Sequence, residues 1–379
     1  MCGLIALWEA HMQVLVVGAG YAGTIAANRL AKRVKRVQAA EITVINPRPD
    51  FVERVRLHEQ VAGTGAAATP LASMLREGVT TRRGTVDKIG DGQVTLDDGA
   101  SLGFDYLFLA VGSTVAPLPA TVPVGTWEGA EEARAALAEL SGGQTVTVIG
   151  SGLTGIETAS EIAFGRPDLR VRIVGRTIAA SLSAGARKRV RSGLDRLGVE
   201  VVEDAVARID PGVGAGGADV VHLRARSPFT SDLTLWAVIG SVPDLAARSG
   251  LEVDADGRTV VDAYLRSVTD PRIFAVGDCA AVPGSRAACA TAMPQGAHAA
   301  DTLARMIRGR EPEPYSMGYV GQALSLGRSD GLLQSSRRND TVRRLYFAGR
   351  AAAVAKERVC RYAKFSTRTA AYAWLRGSK

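Results

Sequence analysis

The chain is poor in cysteine. Its four cysteines, Cys2, Cys279, Cys289 and Cys360, show no C-x-x-C spacing and no histidine pattern beside them. That argues against a zinc site and a dithiol redox motif, and it fits a reducing, cytoplasmic setting. Long apolar runs are also missing. No stretch of ~18 uninterrupted apolar residues occurs, so no transmembrane helix is expected. The opening, Met1 to His11, has no basic n-region and no small-residue cleavage site after an apolar stretch, which argues against a signal peptide. It reads as an extension or an alternative start, with Cys2 outside any catalytic role. Acidic residues are scarce at the other end: from Arg350 onward eight Lys/Arg face one acid, Glu357, so nearly all of the net +8 sits in the tail. No nucleic-acid recognition motif accompanies this patch, so no nucleic-acid partner is expected. The tail fits peripheral contact with an anionic membrane, its arginines toward phosphate headgroups and Tyr372 and Trp374 at the boundary. An ordinary terminal helix, packed on its own or a partner subunit, is the alternative.

What the chain does contain is core material and a repeated grammar. Hydrophobic residues make up 46% and mean hydropathy is +0.07. At ~100–200 residues per domain the length suggests two or three domains. Val14-Leu-Val-Val-Gly-Ala-Gly-Tyr-Ala-Gly23 returns as Val146-Thr-Val-Ile-Gly-Ser-Gly-Leu-Thr-Gly155. Each is a β-branched run, then Gly-x-Gly-x-x-Gly, then a helical pattern (Thr24 to Arg36, and Ile156 to Phe164). Gly18 and Gly150 make the tight turn out of a strand. Gly20 and Gly152 let backbone approach a pyrophosphate, and Gly23 and Gly155 let helix and sheet pack closely. Two such motifs in strand–turn–helix context predict two dinucleotide sites in an α/β fold.

The second strand after the first turn, Glu41 to Asn46, ends in Asn46 where a carboxylate usually holds the adenosine ribose. Asn46 reads as a ribose ligand, or as a turn residue before Pro47. Arg54 and His58 follow in a charged and apolar segment, either beside a cofactor or on a solvated helix face. Gly84 to Leu109 is strand-like, and Phe104 to Gly112 reads as a buried strand ending in glycine. Pro117 to Gly125 reads as a linker, with a helical pattern over Ala130 to Leu140. The strand Arg170 to Gly175 is followed by Arg176, again without a carboxylate. Arginine there attracts a 2′-phosphate, a lean toward NADPH, with Arg187 to Arg191 as further phosphate partners; a surface arginine is the alternative. Leu233 to Gly240 echoes Leu107 to Gly112, so the halves repeat each other beyond the glycine motifs. Arg272 to Ala280 is an apolar strand that breaks at Gly277-Asp278, where an acid suits a polyol. Thr291 opens a helix to about Arg308, Glu311 to Pro314 marks a boundary, and the remainder turns from strand-like to basic and helical.

The first glycine motif, Tyr106 to Gly112, the second glycine motif and Ala275-Val-Gly-Asp278, in that order, resemble the two-dinucleotide-binding-domain flavoprotein reductases, the pyridine nucleotide-disulfide oxidoreductase fold. Asn46 to Gly63 and Thr291 to Ala300 are most similar to the type II NADH dehydrogenase-like branch. The resemblance implies two Rossmann-like domains, the second inserted in the first: FAD-binding over 12–116 and 246–310, NAD(P)H-binding over 117–245, with an extension at 1–11 and a C-terminal segment at 311–379. It implies FAD over Gly18, Gly20 and Gly23, with Asn46 at the ribose, Asp278 at the ribityl chain or adjoining phosphate, and Arg54, Gly112 and Gly277 along the cofactor. NAD(P)H would sit on Gly150, Gly152 and Gly155, with Gly240 near it. Glu157 would approach the nicotinamide and Gln295 the flavin's pyrimidine edge, both as positioning residues. No metal is implied.

Disulfide reductases of this fold pass electrons to a dithiol. Without a cysteine pair in the sequence, electrons are expected to leave the flavin directly for an external acceptor. A quinone is the first expectation; a small organic substrate of a soluble biosynthetic oxidoreductase is the alternative. A non-enzymatic flavin redox sensor is a third reading, which the intact second glycine motif opposes. A homodimer stays open.

Overall fold

The computed structural model describes residues 12–35, 40–213 and 217–377. The opening segment with Cys2, the end of the basic run at Arg36 and part of the glycine-rich turn within 212–217 lie outside them.

Two five-stranded sheets, parallel throughout, carry the molecule. In the first, spatial order runs Ile273–Ala275, Tyr106–Leu109, Met12–Val17, Ala40–Asn46, Val79–Arg83. In the second it runs Val122–Pro123, Leu233–Trp236, Thr145–Ile149, Arg170–Gly175, Glu200–Glu203. The central strands are β-branched and buried on both faces, as parallel sheets require; Val14, Val16, Val146 and Val148 are fully buried. The first sheet's last strand comes after the whole of the second sheet in sequence, so one unit is inserted in the other. The segment 117–125 is more than a linker, because Val122–Pro123 pairs onto the edge of the second sheet. The two chain crossings between the sheets meet where Thr114 N donates to Ser241 O at 2.8 Å.

The strand-like stretch 84–109 resolves into an antiparallel meander, Val86–Gly90, Gln93–Leu96 and Ser101–Gly103, before the Tyr106–Leu109 strand. Helices begin earlier than the apolar pattern suggests, at Tyr21 and Leu153 rather than Thr24 and Ile156. The early start follows from the glycine turns, which deliver the chain into helix immediately. The Tyr21–Val34 helix packs on the long Cys289–Ile307 helix. Gly296 makes that contact close, since a Cβ there would stand 2.2 Å from Ala22 O.

Beyond residue 320 the chain forms an antiparallel sheet, Gly321–Leu326, Asp330–Ser336 and Val342–Ala348, and then the Arg350–Thr369 helix. Leu324, Leu326 and Leu332 belong to the core of the second sheet. The helix instead joins the first: Asn28 Nδ2 donates to Thr367 O at 2.9 Å, and Lys364 pairs with Glu53 at 2.8 Å. The C-terminal segment therefore straps the two dinucleotide units together. The aromatic residues of the tail also find partners within the chain. Tyr372 and Trp374 pack on the first core, Trp374 Nε1 donates to Ser316 O at 2.9 Å, and Arg29 lies over the Trp374 ring. Both rings are partly buried.

Candidate functional site

The glycine turns repeat each other atom by atom. Gly18 N donates to Ile45 O at 2.9 Å, and Gly150 N to Val174 O at 2.8 Å, tying each turn to the neighbouring strand. Both take a positive φ, +101° and +127°, open to glycine but strained for other residues. A Cβ on Gly23 would lie 1.9 Å from Gly18 O, and one on Gly155 1.8 Å from Gly150 O. Gly20 and Gly152, by contrast, face open space with nothing within 4 Å. Each is the N-cap of its helix and neither offers a side-chain cap, so the helices' first N–H groups stay available. Two uncapped helix N-termini behind open glycine backbone suit two pyrophosphates.

Around the first turn, Asn46 Oδ1 accepts from Ala19 N at 3.1 Å and Nδ2 donates to Arg48 O at 2.8 Å. Asn46 thus braces the glycine turn. Asp278 Oδ2 accepts from Ser113 Oγ at 2.6 Å, with Arg54 4.0 Å away. Arg54, its side chain 33% exposed, is tied down: it donates to the Ser113 and Gly125 carbonyls at 2.9 and 2.8 Å, on the crossing between the sheets. Gly112 and Gly277 both take positive φ, +70° and +84°. Gln295 is buried, its Oε1 accepting from Gly277 N at 2.7 Å and its Nε2 donating to Ser285 Oγ at 3.0 Å. Its amide therefore serves the Gly277–Asp278 turn.

Around the second turn, Gly240 is exposed over open space. Arg176 is exposed and has no ion pair among the described residues. The run expected to assist it is half committed elsewhere. Arg189 holds Asp330 at 2.7 Å, and Arg191 holds Glu203 at 2.9 Å. Arg187 and Lys188 make no ion pair among the described residues.

Glu157, in the first turns of the Leu153–Gly165 helix, meets residues that the sequence did not mark. Lys356 Nζ donates to Glu157 Oε1 and, at 2.9 Å, to Ser325 Oγ. Burial works against the Lys356 charge, but Glu157 outweighs it and raises the ammonium above its ordinary value. Behind this pair, His58 Nε2 lies 3.5 Å from Ser325 Oγ. Burial, and then the Lys356 charge, hold His58 well below its usual value, so it is neutral and on no solvated face. Arg328 pairs with Glu161 at 2.6 Å and Glu59 at 3.3 Å. Burial pushes the Glu161 carboxyl up. Burial likewise pushes the Cys279 thiol up to about 11 and Cys289 to about 12. Among the described residues no disulfide forms and no acidic or histidine cluster suits a metal.

Residues 12–300 match the protein family described as pyridine nucleotide-disulphide oxidoreductase. The chain belongs to that family. Within it, the chain is 31% identical to an NADH dehydrogenase-like protein of Mycobacterium tuberculosis, over 71% of this chain and 73% of that one. It is 27% identical to ferroptosis suppressor protein 1 of Taeniopygia guttata, over 86% and 89%. The fold is that of the sulfide:quinone oxidoreductase of Aquifex aeolicus (TM-score 0.78, 18% identity, 94% of this chain and 91% of that one). It is equally that of NDH2 from Plasmodium falciparum in complex with NADH (TM-score 0.78, 14% identity, 96% and 99%). This member of the pyridine nucleotide-disulphide oxidoreductases is accordingly an oxidoreductase of the FAD and NAD(P)H type, with no redox-active disulfide among its described residues.

Proposed function

We propose that the protein takes reducing equivalents from NADPH in preference to NADH and delivers them to a quinone at a membrane surface. The observation that carries the reading is the pair of open, uncapped glycine turns, one on each parallel sheet. When bound, FAD would supply the redox chemistry, accepting a hydride from nicotinamide and releasing electrons to the acceptor. The protein's part is binding and orientation.

Gly20 with Gly18 and Gly23 takes the FAD pyrophosphate, and Asn46 reaches the ribose with whatever capacity its bracing role leaves. Asp278 accepts from the polyol chain. Arg54, Gly112 and Gly277 shape the backbone around the cofactor, and Gln295 acts through the turn that it holds. Gly150, Gly152 and Gly155 take the nicotinamide dinucleotide, with Gly240 alongside and Glu157 toward the reactive ring. Arg176 meets the 2′-phosphate; its exposure and lack of a competing carboxylate support that choice.

Support for the acceptor comes from the named relatives and from the C-terminal surface. The Arg350–Thr369 helix exposes Val354, Val359, Tyr362 and Phe365 beside Arg350, Arg358 and Arg368. A groove of about 560 Å³ lies among Arg350, Ala351, Val354, Ala355 and Arg358. Basic and apolar groups on one helix face suit an anionic lipid interface. The partial burial of Tyr372 and Trp374 suits the second reading, a soluble oxidoreductase acting on a small organic substrate. The test is to reduce the flavin anaerobically with NADPH and then add a short-chain ubiquinone or menaquinone. Return of oxidised flavin with one quinone consumed per flavin supports the reading. No return with any quinone moves the assignment to a soluble acceptor.

A further inference from the structure

The Glu157 carboxylate is held from outside its own sheet, and from one side only. Ser325 lies near the end of the Gly321–Leu326 strand of the C-terminal segment. Its backbone N–H donates to Glu157 Oε1 at 2.9 Å and its hydroxyl donates to the same oxygen at 3.2 Å. The Lys356 ammonium, also from the C-terminal segment, donates to Oε1 too. All three donors converge on one atom. Among the described residues Oε2 accepts no hydrogen bond, although an ionised carboxylate has room for about four donors.

Ser325 cannot drift from this position, because the turn after it is locked to the dinucleotide unit. Gly327 takes φ +63°, and a Cβ there would press on Phe164 at 3.1 Å. Arg328 pairs with Glu161 at 2.6 Å, one helical turn beyond Glu157, and Asp330 pairs with Arg189 at 2.7 Å. On the far side His58 stands 3.5 Å from the Ser325 hydroxyl. A carboxylate held only by the flexible Lys356 could turn about its last bond. Two donors from one rigid residue fix its plane and leave Oε2 as the free acceptor. The carboxamide of a nicotinamide carries the N–H donors that such an oxygen can take.

We propose that Ser325 is a positioning residue for the nicotinamide: it fixes Glu157 Oε1 so that Oε2 is the atom offered to the carboxamide. The phosphate end of the dinucleotide site belongs to the glycine turn, whereas its reactive end is set by the C-terminal segment. This inference rests on the reading that the second glycine turn takes NAD(P)H.

The experiment is calorimetric binding to the full-length, flavin-loaded protein, with no turnover. NADP⁺ and NAD⁺ are each compared with the fragment lacking nicotinamide, 2′-phospho-ADP-ribose and ADP-ribose. Ser325→Ala is expected to weaken the dinucleotides roughly three- to tenfold, while the fragments bind as they do to the parent protein. Ser325→Thr, which keeps the hydroxyl, is expected to restore dinucleotide binding. Equal losses for dinucleotides and fragments would mean a merely structural serine, and unchanged binding of all four would remove any role; either result overturns the proposal. Failure of the parent protein to bind any of the four instead strikes the NAD(P)H reading itself, and this inference with it.

Discussion

Lys356 and Glu157 form a nearly enclosed ion pair, their side chains 11% and 12% exposed. Such a pair is costly to break from one side, because the survivor is a buried, unpaired charge. Lys356→Met is therefore expected to lower unfolding free energy by about 3–5 kcal/mol, and the double change Glu157→Gln/Lys356→Met to recover much of it. Chemical denaturation of the three proteins checks this. His58 gives a second residue-scale prediction. It faces Lys356, Arg328 and Arg56 as well as Glu59, and it stays neutral when folded. The unfolded chain binds a proton below about pH 6.5 that the folded chain refuses, so stability falls as pH drops from there. Buried His298, also depressed by burial, adds in the same sense, and Glu161, whose carboxyl is raised, works against it. The melting temperature is expected to fall between pH 7 and 5, with a shallower slope in His58→Gln. At this scale Glu157 was legible through the family resemblance, from its place just past the second glycine motif. The sequence hid Ser325 and Lys356, whose contacts with Glu157 span 168 and 199 residues and follow no local spacing. Asn46 and Gln295 were legible as important positions, yet what their amides hold depends on backbone groups that only folding brings near.

At the scale of elements, the glycine turns separate folding from binding. Gly20→Ala and Gly152→Ala place a methyl group in open space, so both proteins should fold. The first is expected to lose FAD, seen as loss of visible absorbance; the second to keep its colour but bleach slowly with NAD(P)H. Gly23→Ala and Gly155→Ala press a methyl group against a carbonyl oxygen under 2 Å away, and lowered melting temperatures are expected for both. The strands and helices around these turns were readable because their periodicity is strong and each turn has its own steric logic. The short Val122–Pro123 edge strand was not, since proline and two residues of pairing look like linker until a neighbouring strand lies alongside.

For the whole molecule, the C-terminal segment straps one dinucleotide unit to the other and carries the basic, half-apolar face. Tail composition pointed to that face, but it could not show which side of the helix turns inward or that Tyr372 and Trp374 fold back onto the core. Arg350→Glu/Arg358→Glu is expected to reduce binding to phosphatidylglycerol vesicles about tenfold or more at low salt, and the parent protein's own binding to weaken as salt rises. Co-sedimentation with anionic and with neutral vesicles reads this out.

The central claim is that a nicotinamide on the second unit reduces a flavin on the first. It is tested most directly by mixing the flavin-loaded protein anaerobically with NADPH and, separately, NADH while following visible absorbance. Rapid bleaching is predicted with both, faster with NADPH, and Arg176→Ala should erase that preference while leaving the NADH rate in place. A flavin that stays oxidised with either donor would contradict the account.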